Sequence, residues 1–149
     1  MTPSDIPWGY SRTDRKSAAA TQNTEDFRLA ATLDIARHFT CLLRESDFIA
    51  AEGKYRSDDV VRVEPFDEPA WLCCGKEAVR KRDERWREGH IVHTCLIEGP
   101  YLNGEQFLVR LRMEVTSKAT GNRRLIDKIC LYAVVHGKIV AETHYYRKD

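Results

Sequence analysis

The chain has 149 residues, 32% of them charged and 42% apolar, which suits one soluble globular domain with a real core. A formal net charge of +1 supplies no field that would gather nucleic acid or an anionic membrane, and no apolar run approaches a membrane span. Five cysteines without a CxxC pair argue against a disulfide framework, and the N-terminus lacks an apolar signal core, so a cytoplasmic location is expected.

Residues 1–22 mix Pro, Gly, Ser and scattered charge without periodicity and read as a flexible arm, within which Trp8 and Tyr10 are the residues able to dock. The domain is expected over 23–149. Asn23 or Thr24 can cap a helix with Glu25 and Asp26 in its first turn, and Leu29, Leu33, Ala36 and Leu43 keep helical spacing to about Arg44. Ser46-Asp47 predict a second cap, for a short helix from Phe48 ended by Gly53.

Val60–Val63 is a short β-rich run, and Pro65–Pro69 reads as loop. A third helix is predicted over Glu77–Glu88. Its mixed charges read as a solvated face with i,i+4 pairs rather than a nucleic-acid contact. His90–Glu98 is the next strand, with a turn at Gly99-Pro100 and Asn103-Gly104.

Gln106–Tyr146 then holds three runs rich in β-branched and aromatic residues, separated by Lys118–Asn122 and His136-Gly137, and so predicts an antiparallel meander. Helices early and strands late make the fold class α+β, with three N-terminal helices on one side of a curved antiparallel sheet.

The last hairpin decides which side chains share a face. A three-residue loop, Val135–Gly137, places positive φ only on glycine and predicts the pairs Tyr132–Val140, Cys130–Glu142 and Lys128–His144. Lys128, Glu142 and His144 then share one face, bordered by Cys130, Tyr132 and Tyr146, while Leu125, Ile129, Leu131, Ile139 and Ala141 share the other. A base, an acid and an orienting charge would stand together if that face lines a pocket. On a convex outer face they would form a surface ion cluster. No metal site is expected from His90, His93 and Cys95, because only two of the three share a strand face. Gly121 and Gly137 are turn glycines, no phosphate-cradling loop is present, and no cofactor is expected.

EGPYLNG, RMEVTSKATGNRR, the LIDKICLYAVVHGKI-to-ETHYY ending, YRSDDVVRVEP and the Gly75–Val79 helix start together resemble the nuclear transport factor 2-like superfamily, most closely its SnoaL-like branch, over about residues 25–146. The resemblance implies a cone-shaped α+β barrel around an apolar pocket, often in a homodimer. It also implies a small apolar molecule as partner. Members include polyketide cyclases, ketosteroid isomerases, dehydratases, epoxide hydrolases and non-catalytic modules, so fold alone does not supply the reaction.

Glu64-Pro65 resembles the acid-Pro step that carries the isomerase-like base. The second isomerase carboxyl falls on Ile126 and is missing, and Lys128 stands where many SnoaL-like chains have an acid. Tyr146 matches the usual aromatic, and His144 replaces an apolar or aromatic residue.

Two functions follow. One is acid/base chemistry on an apolar or polycyclic carbonyl compound (isomerase, cyclase or dehydratase), with Glu64 or His144 as base and Lys128 or Tyr146 facing the developing oxyanion. Glu142, Tyr132 and Tyr146 are its candidate ligand contacts. The other is a non-catalytic ligand-binding or dimerising module.

Overall fold

A computed structural model describes residues 12–65 and 71–147, with side chains described from residue 18. Trp8, Tyr10 and residues 66–69 of the expected loop lie outside it. Its elements are α1 (Arg12–Arg44), α2 (Phe48–Tyr55), β1 (Arg56–Glu64), β2 (Trp71–Cys74), α3 (Lys76–Gly89), β3 (His90–Asn103), β4 (Gln106–Ser117), β5 (Arg123–Val135) and β6 (Lys138–Tyr146). Three helices pack against one six-stranded sheet in the order β2-β1-β6-β5-β4-β3. The α+β class is therefore as read from the sequence.

The sheet departs from the expectation in two ways. It is mixed, because β1 runs parallel to β6 while every other pair is antiparallel. It is also open, with β2 and β3 as its edges rather than a closed barrel.

Helix α1 begins at Arg12, within the segment read as an arm. No Gly or Pro occurs from Arg12 to Arg44, and Ala18-Ala19-Ala20 have the highest helix propensity, so the helix continues through the expected cap. Thr24 lies inside it and donates to the Ala20 carbonyl at 2.9 Å instead of capping. The second cap is as read: the Asp47 carboxylate accepts from the Ala50 N–H at 3.1 Å. The helix it opens, however, passes Gly53 and ends at Tyr55. Four-residue β2, which the sequence did not reveal, pairs Val61–Glu64 with Cys74–Trp71. Strand β3 runs on through Gly99-Pro100 with a bulge between Glu98 and Tyr101, so the turn lies at Gly104-Glu105.

The core joins Ala36, Phe39 and Leu43 of α1 to Phe107, Val109 and Leu111 of β4 and Tyr132 and Val134 of β5. Phe39 sits at its centre. Its ring stands edge-on to Tyr132 at 4.9 Å and to Phe107 at 5.8 Å. A second cluster, Met113, Val115 and Ile126 with Trp86 and Tyr146 against it, extends the inner face towards α3.

The last hairpin corrects the predicted loop. His136-Gly137 is a two-residue turn with φ of 49° and 74°, which pairs Val135 with Lys138 and Val134 with Ile139. Histidine is among the few residues enriched in that left-handed region, and the turn's twist matches the strands. Taken alone, this register would put the wrong side chains inside. A bulge between Ala133 and Val134 then shifts the pairing to Tyr132–Glu142, Cys130–His144 and Lys128–Tyr146. That is two residues from the predicted pairing, an even number, so each side chain beyond the bulge keeps its predicted face. Ile139 does not: it is fully buried on the Lys128 face.

Candidate functional site

Strand β5 alternates Ile126, Lys128, Cys130, Tyr132 and Val134 towards the helices, while Leu125 and Ile129 face away and are exposed. The neighbouring strand decides the inner and outer sides. Leu111 and Met113 pair with Lys128 and Ile126, whereas Arg110, Arg112 and Glu114 pair with the outward residues. The face carrying Lys128, Glu142 and His144 is thus the inner one. It borders a cavity of about 880 Å³, lined among others by Glu64, Trp86, Lys128, Tyr132, His144 and Tyr146.

His144 links the cluster. Its Nδ1 lies 3.4 Å from Lys128 Nζ and 3.9 Å from Glu64 Oε1, and its Nε2 lies 3.4 Å from Glu142 Oε2. The 3.4 Å approach to Glu142 is an electrostatic contact rather than a well-formed hydrogen bond, since His144 Nε2 finds no aligned acceptor. Burial and the Lys128 ammonium press the imidazole pKa down to about 3, and the Glu142 carboxylate offsets only part of this. His144 is therefore neutral at physiological pH. Its Nδ1 accepts from Lys128, which leaves the ring proton on Nε2, towards Glu142.

Burial works against the Lys128 ammonium, but its neighbours Cys130 and Tyr146 outweigh that and hold its pKa above the ordinary lysine value. The Tyr146 ring, 5.4 Å from the nitrogen, favours the charged form as well.

Glu142 does not reach the cavity surface. It lies one layer behind, with no side-chain exposure, and was expected to touch a ligand directly. Arg56 meets it at 2.5 and 3.3 Å and Arg62 at 3.0 Å. Burial alone would raise its pKa, yet the two guanidinium groups hold it well below the carboxylate range.

The same arginines bind Asp83 of α3, at 3.2 Å from Arg56 and 2.5 and 2.9 Å from Arg62. Burial disfavours the Asp83 carboxylate, but Arg62 and then Arg56 bring it down to about 2. Glu52 and Arg87 complete the network at 3.5 and 3.2 Å. Three acids and three bases thus balance one another.

None of Arg56, Arg62, Asp83 or Glu52 was picked out from the sequence as a site residue. A signal existed in the strand period: Arg56, Val60, Arg62 and Glu64 are spaced by even numbers and are the buried positions of β1. Asp83 sits on the Val79–Trp86 edge of α3, at i+4 and i−3, although the outer half of that helix is the solvated ion-pair face predicted, with Arg80 on Glu77 and Glu84.

Glu64 joins the cluster that the sequence treated as a separate candidate. One of its oxygens is held by Arg82, whose guanidinium stacks on Trp71 at 3.3 Å. The other, Oε1, faces the Tyr146 hydroxyl at 3.4 Å and His144. Among the described cavity-lining carboxylates, it is the oxygen that no guanidinium occupies. Tyr132 lines the cavity too, but it is almost fully buried and stacks on Phe107 at 4.9 Å, so its ring also belongs to the core.

The profile of the SnoaL-like domain matches residues 30–146, most of the chain. The chain belongs to the SnoaL-like family. A candidate SnoaL-like polyketide cyclase from Mesorhizobium loti, also described as a carbohydrate phosphatase, is 44% identical over 76% of this chain and 97% of its own, with a TM-score of 0.73. A candidate isomerase from Bacillus subtilis (17% identity, 83% and 88% of the two chains, TM-score 0.59) shares the fold. So does a LEH-like epoxide hydrolase of M. tuberculosis (14%, 80% and 84%, 0.59). The curated proteins contain no match. Among the described residues of this SnoaL-like protein, no helix is long and apolar enough to cross a membrane.

Proposed function

We propose that this SnoaL-like protein catalyses proton transfer on a carbonyl compound with an apolar, ring-containing body, as an isomerase, cyclase or dehydratase does. The observation that carries the reading is Glu64 Oε1, the carboxylate oxygen left unoccupied by guanidinium at a cavity wall shared with Lys128 and Tyr146. Glu64 takes a proton from the carbon next to the carbonyl. The C–H electron pair moves to the carbonyl oxygen, and that developing charge meets the Lys128 ammonium and the Tyr146 hydroxyl. The proton then returns to the same carbon or to another.

Of the two bases weighed from the sequence, Glu64 is favoured over His144. A histidine pressed down to about 3 is a poor base at neutral pH, whereas its neutral Nδ1 suits it to positioning Lys128. Deuterium exchange of β-tetralone in deuterium oxide tests the reading. Glu64→Gln should lower the exchange rate by about 10²–10⁴ with the fold intact. Exchange that is absent in the wild type, or unchanged in the variant, removes proton transfer and leaves the non-catalytic binding reading in its place.

The homodimer is part of the same proposal. Leu96, Leu125, Ile129 and Tyr145 are exposed on the outward face of adjacent strands, where a second copy of this chain would cover them. Leu125→Glu should then shift the mass in solution from dimer to monomer; a wild-type monomer overturns it.

A further inference from the structure

We propose that the cavity binds an organic anion, a carboxylate on an apolar ring body, through the Lys128 ammonium. The inference deepens the proton-transfer reading by naming the charge its substrate carries, and rests on that reading only for where the site lies.

The charge balance of the wall leads to it. Arg56 and Arg62 are answered by Glu142 and Asp83, Arg87 by Glu52, and Arg82 by Glu64. Two lining cations are left over. Among the described residues, no carboxylate comes within ion-pair distance of Lys128 or of Arg85, which lines the same cavity. The polar neighbour of Lys128 Nζ is the imidazole Nδ1 of a neutral histidine, which accepts a hydrogen bond but brings no charge.

An ammonium in a partly enclosed wall loses solvation and needs a counter-charge to recover it. Every other half-buried cation lining this cavity has one from the protein. The ligand is the remaining source. Leu43, Phe48, Trp86, Met113 and Ile126 line the same space, so the body that carries the charge is apolar. An oxo acid on such a body would set its carboxylate and its carbonyl oxygen on one ammonium, with the acidic carbon turned to Glu64.

Calorimetric titration with naphthoate and with naphthamide, which share one ring body and differ in charge, tests the assignment. The wild type should bind naphthoate roughly tenfold more tightly or better, as a charge-assisted contact gives. Lys128→Met should abolish that preference and Lys128→Arg should keep it. In the wild-type protein the NMR signal of the Lys128 Cε should move with naphthoate and stay still with naphthamide, a readout that needs no variant to fold.

Equal affinities, no binding of naphthoate, a preference that survives Lys128→Met, or an unmoved Cε signal would each overturn the proposal. The two readings fail separately: lost β-tetralone exchange with the anion preference intact sinks proton transfer alone.

Discussion

Lys128 and His144 meet at 3.4 Å, ammonium to imidazole Nδ1, and the lysine helps to set the ionisation of the ring. The charged lysine and burial keep the ring neutral, and the neutral ring can then accept from the lysine. Behind the ring, the other nitrogen faces Glu142, which Arg56 and Arg62 hold in place. Lys128 stands on the cavity side of this buried network.

That arrangement fixes a pH dependence. In the folded protein His144 titrates at about 3, against about 6.5 for the unfolded chain. Between those values the unfolded chain binds a proton that the folded one does not, so stability rises with pH across that window. It is complete above about 6.5 and is lost as pH falls towards 3. Urea unfolding should show a slope of up to about 1.4 kcal/mol per pH unit from this group. His144→Gln should flatten it, and matching slopes in both proteins would refute the buried neutral histidine.

Glu142→Gln should be costly although Glu142 touches no ligand. It would leave Arg56 and Arg62 facing one another with Asp83 as their main counter-charge. Removing one partner of a buried ionic group costs about 3–5 kcal/mol. Glu77→Gln, in an exposed, solvent-screened pair on α3, should cost far less. Denaturant midpoints compare the two, and similar losses would mean the network is not buried.

Tyr146→Phe isolates one hydroxyl. If the phenol donates to a developing oxyanion, β-tetralone exchange should fall roughly 10²-fold. Little change in substrate affinity is expected, because the ring that packs against Met113, Val115 and Ile126 remains. A loss confined to affinity would assign Tyr146 to binding instead.

Two backbone positions give opposite stability outcomes. His136 occupies a φ of 49° in the turn that fixes the last hairpin, and Asn adopts that region more readily, so His136→Asn should stabilise by up to about 1 kcal/mol. Gly99 has a φ of 114°, and a Cβ there would stand 2.9 Å from the Leu108 carbonyl oxygen, a backbone atom that cannot swing aside. Gly99→Ala should destabilise by about 1–3 kcal/mol. Thermal unfolding of the two variants reads both signs.

Local patterns determined a good part of this protein. The α+β order, the Asp47 cap, the third helix and the meander follow from short-range spacing and turn chemistry, which act within a few residues. The face shared by Lys128, Glu142 and His144 was legible as well, even through a wrong loop, because strand faces depend only on whether the offset is even. Tertiary structure decided the rest.

Which face of β5 turned inward depended on β4 and the helices packed over it, and nothing in the β5–β6 hairpin records that choice. Glu64 became one site with His144 only because β1 runs parallel to β6, a pairing between segments about eighty residues apart that no local pattern encodes. For the same reason Arg56 and Arg62 are not picked out by the sequence, and Asp83 counts there with the solvated face of α3. A charged side chain is buried when its counter-charge arrives from an element distant in the chain, and here the two arginines of β1 meet Glu142 of β6 and Asp83 of α3.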